Sequence, residues 1–246
     1  MRSEDALRYA DCLEDNGFVH IQNLLSISSV LQVREYLDEL FESDEIIPDK
    51  YLKRYVARQV NDSGNIIEIN HCARLESRLV KTTLFRTCKE IASKLLGKPA
   101  YRSFDHAIYK ASGSGGVLWH QDQAYKKTVK QMRSITVWIP LHDVSVREGC
   151  MQYIPLSYAN EVVPHKKYVE NGGLSVDVPE SAPVVTCEAS IGDVIIHNPL
   201  VLHSSLPNKS DETRKAWILH FGPYGRFEPF LVSNLPHLFK YMIGSR

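Results

Sequence analysis

The chain has 246 residues, of which 43% are hydrophobic, and its 29 Lys and Arg balance 29 Asp and Glu. This composition is typical of a soluble globular protein that is long enough to bury a sizeable core. A formal charge of zero provides no excess of cations for a nucleic-acid backbone, and no apolar run has the length of a membrane span. We therefore expect neither a nucleic-acid partner nor a membrane partner.

The first hundred residues alternate helical and extended patterns. Residues 3–17 predict a helix that ends at Gly17, and residues 18–22 predict a short strand. A second helix is predicted from Ser28 or Ser29, with one apolar face formed by Val30, Val33, Leu37 and Leu40. Residues 45–70 show no clear period and are interpreted as loop with some strand. Residues 75–96 predict a third helix, which ends before Gly97 and Pro99.

From about residue 100 the pattern changes to short runs of strand-forming residues separated by turns. The predicted strands are 104–109, 134–141, 151–154, 184–188, 194–197 and 216–221. Many short strands of this kind predict a β-sandwich or barrel. The long connection 156–182 is typical of a lid or binding loop. We predict one domain over 1–246, in which residues 1–99 are rich in helix, residues 100–225 form a β core and residues 226–246 form a C-terminal extension.

The five cysteines are widely spaced and form no C-x-x-C pair, which argues against a disulfide framework or a zinc–thiolate site. The acidic amino-terminal residues do not resemble a secretory signal. Both observations favour reduced thiols and a cytoplasmic location.

One short motif contains two residues of the types that bind metal ions. His120 and Asp122 are two residues apart, and in a strand residues i and i+2 point to the same face. Chance alone gives about 1.2 such pairs (10 His × 29 acidic residues / 246), so this motif needs a third ligand to become informative. His197 and His203 are both candidates. Two imidazoles and one carboxylate suit iron(II), manganese or zinc, and leave positions open for other ligands.

Arg214 follows His203 by eleven residues, with Ser205 between them. A guanidinium group is suited to bind the distal carboxylate of a small dicarboxylic acid, and a nearby hydroxyl adds a hydrogen bond.

At this point the sequence resembles the phytanoyl-CoA dioxygenase family of iron(II)- and 2-oxoglutarate-dependent oxygenases. The resemblance runs from about residue 10 to about residue 225. It is carried by ordered motifs at 15–25, 119–125, 134–141, 148–155, 192–193 and 203–214, which begin with Asp15-Asn-Gly-Phe-Val-His-Ile-Gln-Asn-Leu-Leu25 and Trp119-His-Gln-Asp-Gln-Ala-Tyr125.

The resemblance implies a double-stranded β-helix, which is a cupin-like jelly-roll barrel, with the N-terminal helices packed outside. It assigns iron(II) to His120, Asp122 and His203. It places 2-oxoglutarate against Arg214, with O₂ as co-substrate. The neighbours that it implies for 2-oxoglutarate are Ser205, Gln121, Thr136, Trp138 and Lys110.

The resemblance also indicates the type of reaction. Halogenating relatives have a small residue in place of Asp122, so hydroxylation is favoured over halogenation, while desaturation, ring closure and epimerisation stay open. We expect a small-molecule substrate of secondary metabolism or lipid-related catabolism. The sequence 155–158 departs from the usual Pro-Gly-Ser-His of the family, which puts the nearby substrate contacts in doubt. Candidates for the substrate pocket are His106, Tyr125, His197, Tyr224 and Arg226.

Two other functions fit parts of the pattern: a non-catalytic metal- or ligand-binding jelly roll, and a zinc or manganese enzyme of the cupin type. The sequence does not distinguish a monomer from a homodimer, since the apolar helix faces suit either packing on the barrel or dimerisation.

Overall fold

The computed structural model describes residues 3–55, 65–125, 134–155, 161–167 and 173–223. Its α-helices over these residues are α1 (Ser3–Asn16), α2 (Ile27–Glu42), α3 (Cys72–Leu75) and α4 (Thr83–Leu96). Its strands are β1 (Phe18–Ile21), β2 (Leu52–Tyr55), β3 (Ile66–Asn70), β4 (Tyr101–Lys110), β5 (Val117–His120), β6 (Ile135–Pro140), β7 (Met151–Tyr153), β8 (Lys166–Lys167), β9 (Leu174–Ser175), β10 (Val185–Cys187), β11 (Val194–His197), β12 (His203–Ser205) and β13 (Arg214–Gly222).

Two antiparallel sheets face each other. The large sheet has the order β1-β11-β6-β13-β4-β3-β2, and the small sheet has the order β10-β7-β12-β5. Contacts between rings join the two sheets: Tyr153 of β7 stacks on Phe18 of β1 with ring centroids 4.4 Å apart, and its hydroxyl bonds His197 of β11 at 3.1 Å. This arrangement is the predicted jelly roll.

The two faces of the large sheet pack against different parts of the molecule. Along β13 successive side chains alternate between faces, so that Trp217, Leu219 and Phe221 pack with the helices in one apolar core. Phe85 of α4 lies against Trp217 and Phe221 on this face, with ring centroids 6.4 Å and 6.1 Å apart. The intervening residues of β13 point to the opposite face, between the sheets. The helices therefore cover the outer face and leave the inner face for the site.

The predicted helix 75–96 is wrong in one respect, because the structure divides this segment. α3 ends at Leu75, a 3₁₀ turn covers Leu79–Lys81, and α4 begins only at Thr83. The hydroxyl of Thr82 accepts a hydrogen bond from the amide of Phe85 at 3.2 Å, which starts a new helix at this position. Likewise, Ser26 caps α2, which begins at Ile27, slightly before the predicted start.

The N-terminal region also contributes strands. β1 forms one edge of the large sheet, and β2 with β3 forms the other, within the region interpreted as loop with some strand. The domain limits stay predictions, and 226–246 lies outside the described residues. All five cysteines are free thiols. Among the described helices, none has the length and apolarity required to cross a membrane.

Candidate metal centre

Two strands of the small sheet bring the two predicted histidine ligands together. His203 of β12 pairs directly with His120 of β5, and their ring centroids lie 4.2 Å apart. Oδ1 of Asp122 lies 3.6 Å from Nε2 of His203 and 4.0 Å from Nε2 of His120. One ligand atom from each residue falls within 4.8 Å of the others, so the three side chains form a compact group.

Asp122 reaches this group through a turn. β5 ends at His120, and Asp122 opens a 3₁₀ turn that continues to Tyr125. The expectation that His120 and Asp122 share a strand face is therefore wrong, although the two side chains do converge. Gln121 holds the turn, because its buried amide donates to the Leu200 carbonyl and accepts from the Val163 amide at 2.9 Å.

Hydrogen bonds orient both imidazoles. Nδ1 of His120 lies 2.8 Å from the Leu118 carbonyl, and Nδ1 of His203 lies 3.0 Å from the Val201 carbonyl. A carbonyl only accepts, so each Nδ1 carries the proton, and in the neutral ring the lone pair lies on Nε2. Burial lowers the pKa of His120 and takes the pKa of His203 well below its usual range. Both rings are thus in the form that binds a metal.

Asp122 is held as a carboxylate. Burial by itself would raise its pKa, but a hydrogen bond from His197 holds the pKa well below the usual range. Its second oxygen, Oδ2, points away from the histidine pair. It accepts from the Thr136 hydroxyl at 2.6 Å and lies 3.2 Å from Nε2 of His197. Two candidates from the sequence, Thr136 and His197, are therefore placed against Asp122.

Arg214 lies on the inner face of the large sheet, almost completely buried. Its Nε and Nη2 each lie 3.4 Å from the Gly149 carbonyl, and its guanidinium lies 5.5 Å from the centre of the Trp138 ring. Nη1 is buried and has no hydrogen-bond partner among the described residues. Burial lowers the pKa of Arg214 to about 10, so the group still carries its charge near neutral pH. A buried guanidinium with an unpartnered donor is suited to bind an anion.

Lys110 and Ser205 surround the same position. Lys110 is fully buried and pairs directly with Arg214 across β4 and β13. Its Nζ donates to the Ser205 hydroxyl at 3.4 Å and to the Leu206 carbonyl. Two cations, a hydroxyl and the Trp138 ring thus form a compartment in the inner layer that suits a carboxylate.

The other candidates for the substrate pocket are placed in different surroundings. His106 contacts His220 and Glu68. Tyr125 is half exposed; its ring makes a T-shaped contact with His120, and its hydroxyl accepts from the Leu174 amide at 3.0 Å. Tyr224 and Arg226 lie outside the described residues.

Three side chains around the site were absent from the predicted set. They are His220, which contacts Thr136, Glu68, which contacts His106, and Tyr153, which contacts His197. For His220, the available signal is its place in a predicted strand, 216–221. For Glu68, the sole signal is a charged residue within the apolar run Ile66-Ile-Glu-Ile-Asn70.

Comparison with known proteins identifies the family. The model of the family described as Phytanoyl-CoA dioxygenase (PhyH) matches residues 13–216. A phytanoyl-CoA dioxygenase of Arabidopsis thaliana is 36% identical over 228 residues, which cover 89% of this chain and 77% of that protein. A 2-aminoethylphosphonate dioxygenase from uncultured bacterium HF130_AEPn_1 is 21% identical over 208 residues, or 85% and 78% of the two chains.

Solved structures agree in fold. EvdO2 from Micromonospora carbonacea var. aurantiaca, complexed with 2-oxoglutarate, matches with a TM-score of 0.72 at 24% identity, and the match covers 87% of this chain and 89% of that one. The family match and the Arabidopsis relative each span most of this chain. The chain therefore belongs to the phytanoyl-CoA dioxygenase family and is an iron(II)- and 2-oxoglutarate-dependent dioxygenase.

Proposed function

We propose that His120, Asp122 and His203 hold iron(II), that Arg214 anchors 2-oxoglutarate, and that the enzyme hydroxylates a small molecule. The observation that carries this proposal is the orphaned Nη1 of a buried Arg214 in the same inner layer as a compact two-histidine, one-carboxylate group. Neither feature by itself identifies the activity. Together they supply a metal group and a separate anion anchor.

The residues present fit an iron(II) ion. Two neutral imidazole Nε2 atoms and one carboxylate oxygen form the donor set that suits non-haem iron(II) and leaves coordination positions open. The Nδ1 hydrogen bonds of His120 and His203 fix the rings for binding through Nε2. The bonds from Thr136 and His197 to Oδ2 of Asp122 leave Oδ1 to face the ion.

The same inner layer fits 2-oxoglutarate. The guanidinium of Arg214, the ammonium group of Lys110 and the hydroxyl of Ser205 would receive the distal carboxylate. When bound, iron(II) and 2-oxoglutarate supply the oxidising power for O₂-dependent C–H hydroxylation, and 2-oxoglutarate leaves as succinate and CO₂. The protein orients the acid and excludes water, which strengthens the contact between the buried cations and the carboxylate.

The two alternative functions are less well supported. Zinc or manganese sites of the cupin type usually add a further protein ligand. Among the described residues, His197 is a further imidazole beside His203, with ring centroids 4.4 Å apart. Its Nε2 is bonded to Oδ2 of Asp122, so it is not placed as a further ligand. A non-catalytic relative would have lost a ligand or Arg214, and this chain retains all four residues.

The substrate is proposed only as a small molecule. The two relatives described above are named for phytanoyl-CoA and 2-aminoethylphosphonate, which share little chemistry. The presence of Asp122 supports hydroxylation over halogenation, because the carboxylate occupies the position that a halide would need. The five free thiols are compatible with a cytoplasmic location.

Succinate formation tests the proposal. Anaerobically purified protein is loaded with iron(II), mixed with 2-oxoglutarate and a panel of small molecules, and then exposed to O₂. We expect succinate to form and Arg214→Gln to raise the 2-oxoglutarate concentration for half-maximal rate by about 10- to 100-fold, since the variant loses a charge-assisted pair. His20→Phe, on the edge strand β1, removes a bond to Asp193 and serves as the matched control, which should leave this concentration unchanged. Equal 2-oxoglutarate requirements for the wild type and Arg214→Gln would contradict the anchor, and no succinate with any substrate would contradict the activity.

A further inference from the structure

A chain of hydrogen-bonded side chains runs across the large sheet from Oδ2 of Asp122. The Thr136 hydroxyl donates its single proton to this oxygen at 2.6 Å. The Thr136 oxygen is then the acceptor for Nδ1 of His220, which lies 3.1 Å away. On the other side of that ring, Nε2 of His220 lies 3.4 Å from Nε2 of His106.

The chain ends at a buried carboxylate near the sheet edge. Nδ1 of His106 lies 3.2 Å from Oε1 of Glu68. The same carboxylate accepts from Nζ of Lys53 at 3.3 Å and from the Tyr55 hydroxyl at 2.9 Å. Burial would raise the pKa of Glu68, but the bond and charge of His106, together with Lys53 and Tyr55, lower it to about 2. Glu68 is therefore a fixed anion at the end of the chain.

The register of the sheet places the side chains of this chain within reach of one another. His220 of β13 lies directly opposite Thr136 of β6. His106 lies opposite Ile218, two residues from His220, and Glu68 lies opposite Ile108, two residues from His106. The last two links are therefore diagonal neighbours, which long side chains can bridge. The path thus crosses four adjacent strands on the face that carries the site.

The hydrogen-bonding groups of the chain are already occupied. Both ring nitrogens of His106 and of His220 have partners within the chain, and both oxygens of Glu68 accept hydrogen bonds. Groups satisfied in this way are less suited to bind a substrate than to hold their neighbours in place. This changes the role of His106, which the sequence had marked as a candidate for the substrate pocket.

We infer that Glu68, His106 and His220 are positioning residues that act through Thr136 to orient Asp122, so that its Oδ1 faces the metal. This inference rests on the proposed metal site. His197 also supports Oδ2, at 3.2 Å, so loss of the chain weakens metal binding and does not abolish it. Glu68, three strands away from Thr136, would thus affect the metal centre without contacting it.

Cobalt(II) binding tests the inference without relying on turnover. The dissociation constant and the visible ligand-field spectrum of Co(II) are measured for the wild type, Glu68→Gln, His106→Phe and Thr136→Val. We expect Thr136→Val, which removes a direct partner of a ligand, to weaken binding by about 10- to 100-fold. Glu68→Gln and His106→Phe should weaken it by roughly 3- to 10-fold and shift the spectrum in the same direction, because they act through intermediate groups.

Controls separate positioning from general damage to the fold. Thr136→Ser keeps the hydroxyl and should retain wild-type binding. His20→Phe removes a similar pair, His20 with Asp193 at 2.9 Å on the opposite edge of the same sheet, and should not change the Co(II) spectrum.

A double-mutant cycle gives the sharpest result. In a Thr136→Val background the chain is already cut, so adding Glu68→Gln should produce no further loss of Co(II) affinity. Fully additive losses, or an unchanged dissociation constant and spectrum in folded Glu68→Gln protein, would overturn the inference. A wild-type protein that binds no Co(II) would instead contradict the proposed metal site, so the two failures are distinguishable.

Discussion

At the residue scale, the same hydrogen bonds decide geometry and protonation. Each of the two histidines proposed as ligands donates from Nδ1 to the carbonyl two residues earlier in the chain, which leaves Nε2 available to a metal. Burial then disfavours the imidazolium form, since a charged ring loses its hydration there. The protein therefore prepares both rings for binding before any ion arrives.

This preparation predicts the pH dependence of metal binding. Protons compete with the metal for Nε2, so affinity falls as pH decreases through the pKa values of His120 and His203. Because both values lie below the ordinary 6.5, high affinity should persist below that pH and be lost only in more acidic solution. The measurement is the Co(II) dissociation constant between about pH 5 and about pH 8. A loss of affinity centred at or above pH 6.5 would contradict the structure.

At the element scale, a tight turn before β7 supports Arg214, the proposed carboxylate anchor. Gly149 has φ +87°, and a Cβ there would collide with the Leu206 carbonyl. Its own carbonyl accepts from Arg214. The turn, the segment after β12 and Arg214 are therefore fixed together, and only glycine permits their close approach.

Gly149→Ala should consequently affect both stability and co-substrate binding. We expect a loss of about 1–3 kcal/mol in the free energy of unfolding and a several-fold higher requirement for 2-oxoglutarate, because the backbone must move at the Arg214 contact. Denaturant unfolding and the 2-oxoglutarate dependence of succinate formation measure the two effects. Gly97→Ala is the matched control, since Gly97 also has positive φ (+65°), but an added Cβ there would meet no atom within 4 Å. It should cost stability alone, and an equal effect of both variants on 2-oxoglutarate would refute the role of Gly149.

Some elements and site residues are predictable from the sequence, and others are not. Short runs of strand-forming residues predicted β6, β11 and β13, and ordered motifs pointed to His203 and Arg214, because these signals are local in the chain. The turn that carries Asp122 depends on Gln121 contacting residues 42 and 79 positions away. The chain from Glu68 depends on the register between strands, with partners 38 and 114 positions apart. Such contacts exist only after the sheet has formed, so the sequence pattern does not contain them.

At the scale of the whole molecule, one face of the large sheet packs in the apolar core and the other carries the polar groups of the proposed site. Its outer face packs on α2 and α4 within an apolar core, whereas its inner face carries Arg214, Thr136 and His220 toward the small sheet. The small sheet then supplies His120 and His203. Each sheet contributes groups that the other lacks, so a complete site requires the folded jelly roll.

The central claim is that this assembled site binds one iron(II) and coordinates 2-oxoglutarate to it. Its most direct test is an anaerobic titration of the protein with iron(II) and then with 2-oxoglutarate, followed by visible absorption. We predict one iron per chain and a metal-to-ligand charge-transfer band that saturates with 2-oxoglutarate, and we predict that Asp122→Ala lacks this band or needs far more iron to form it. A wild-type protein that binds no iron, or that binds iron without developing the band, would contradict the claim.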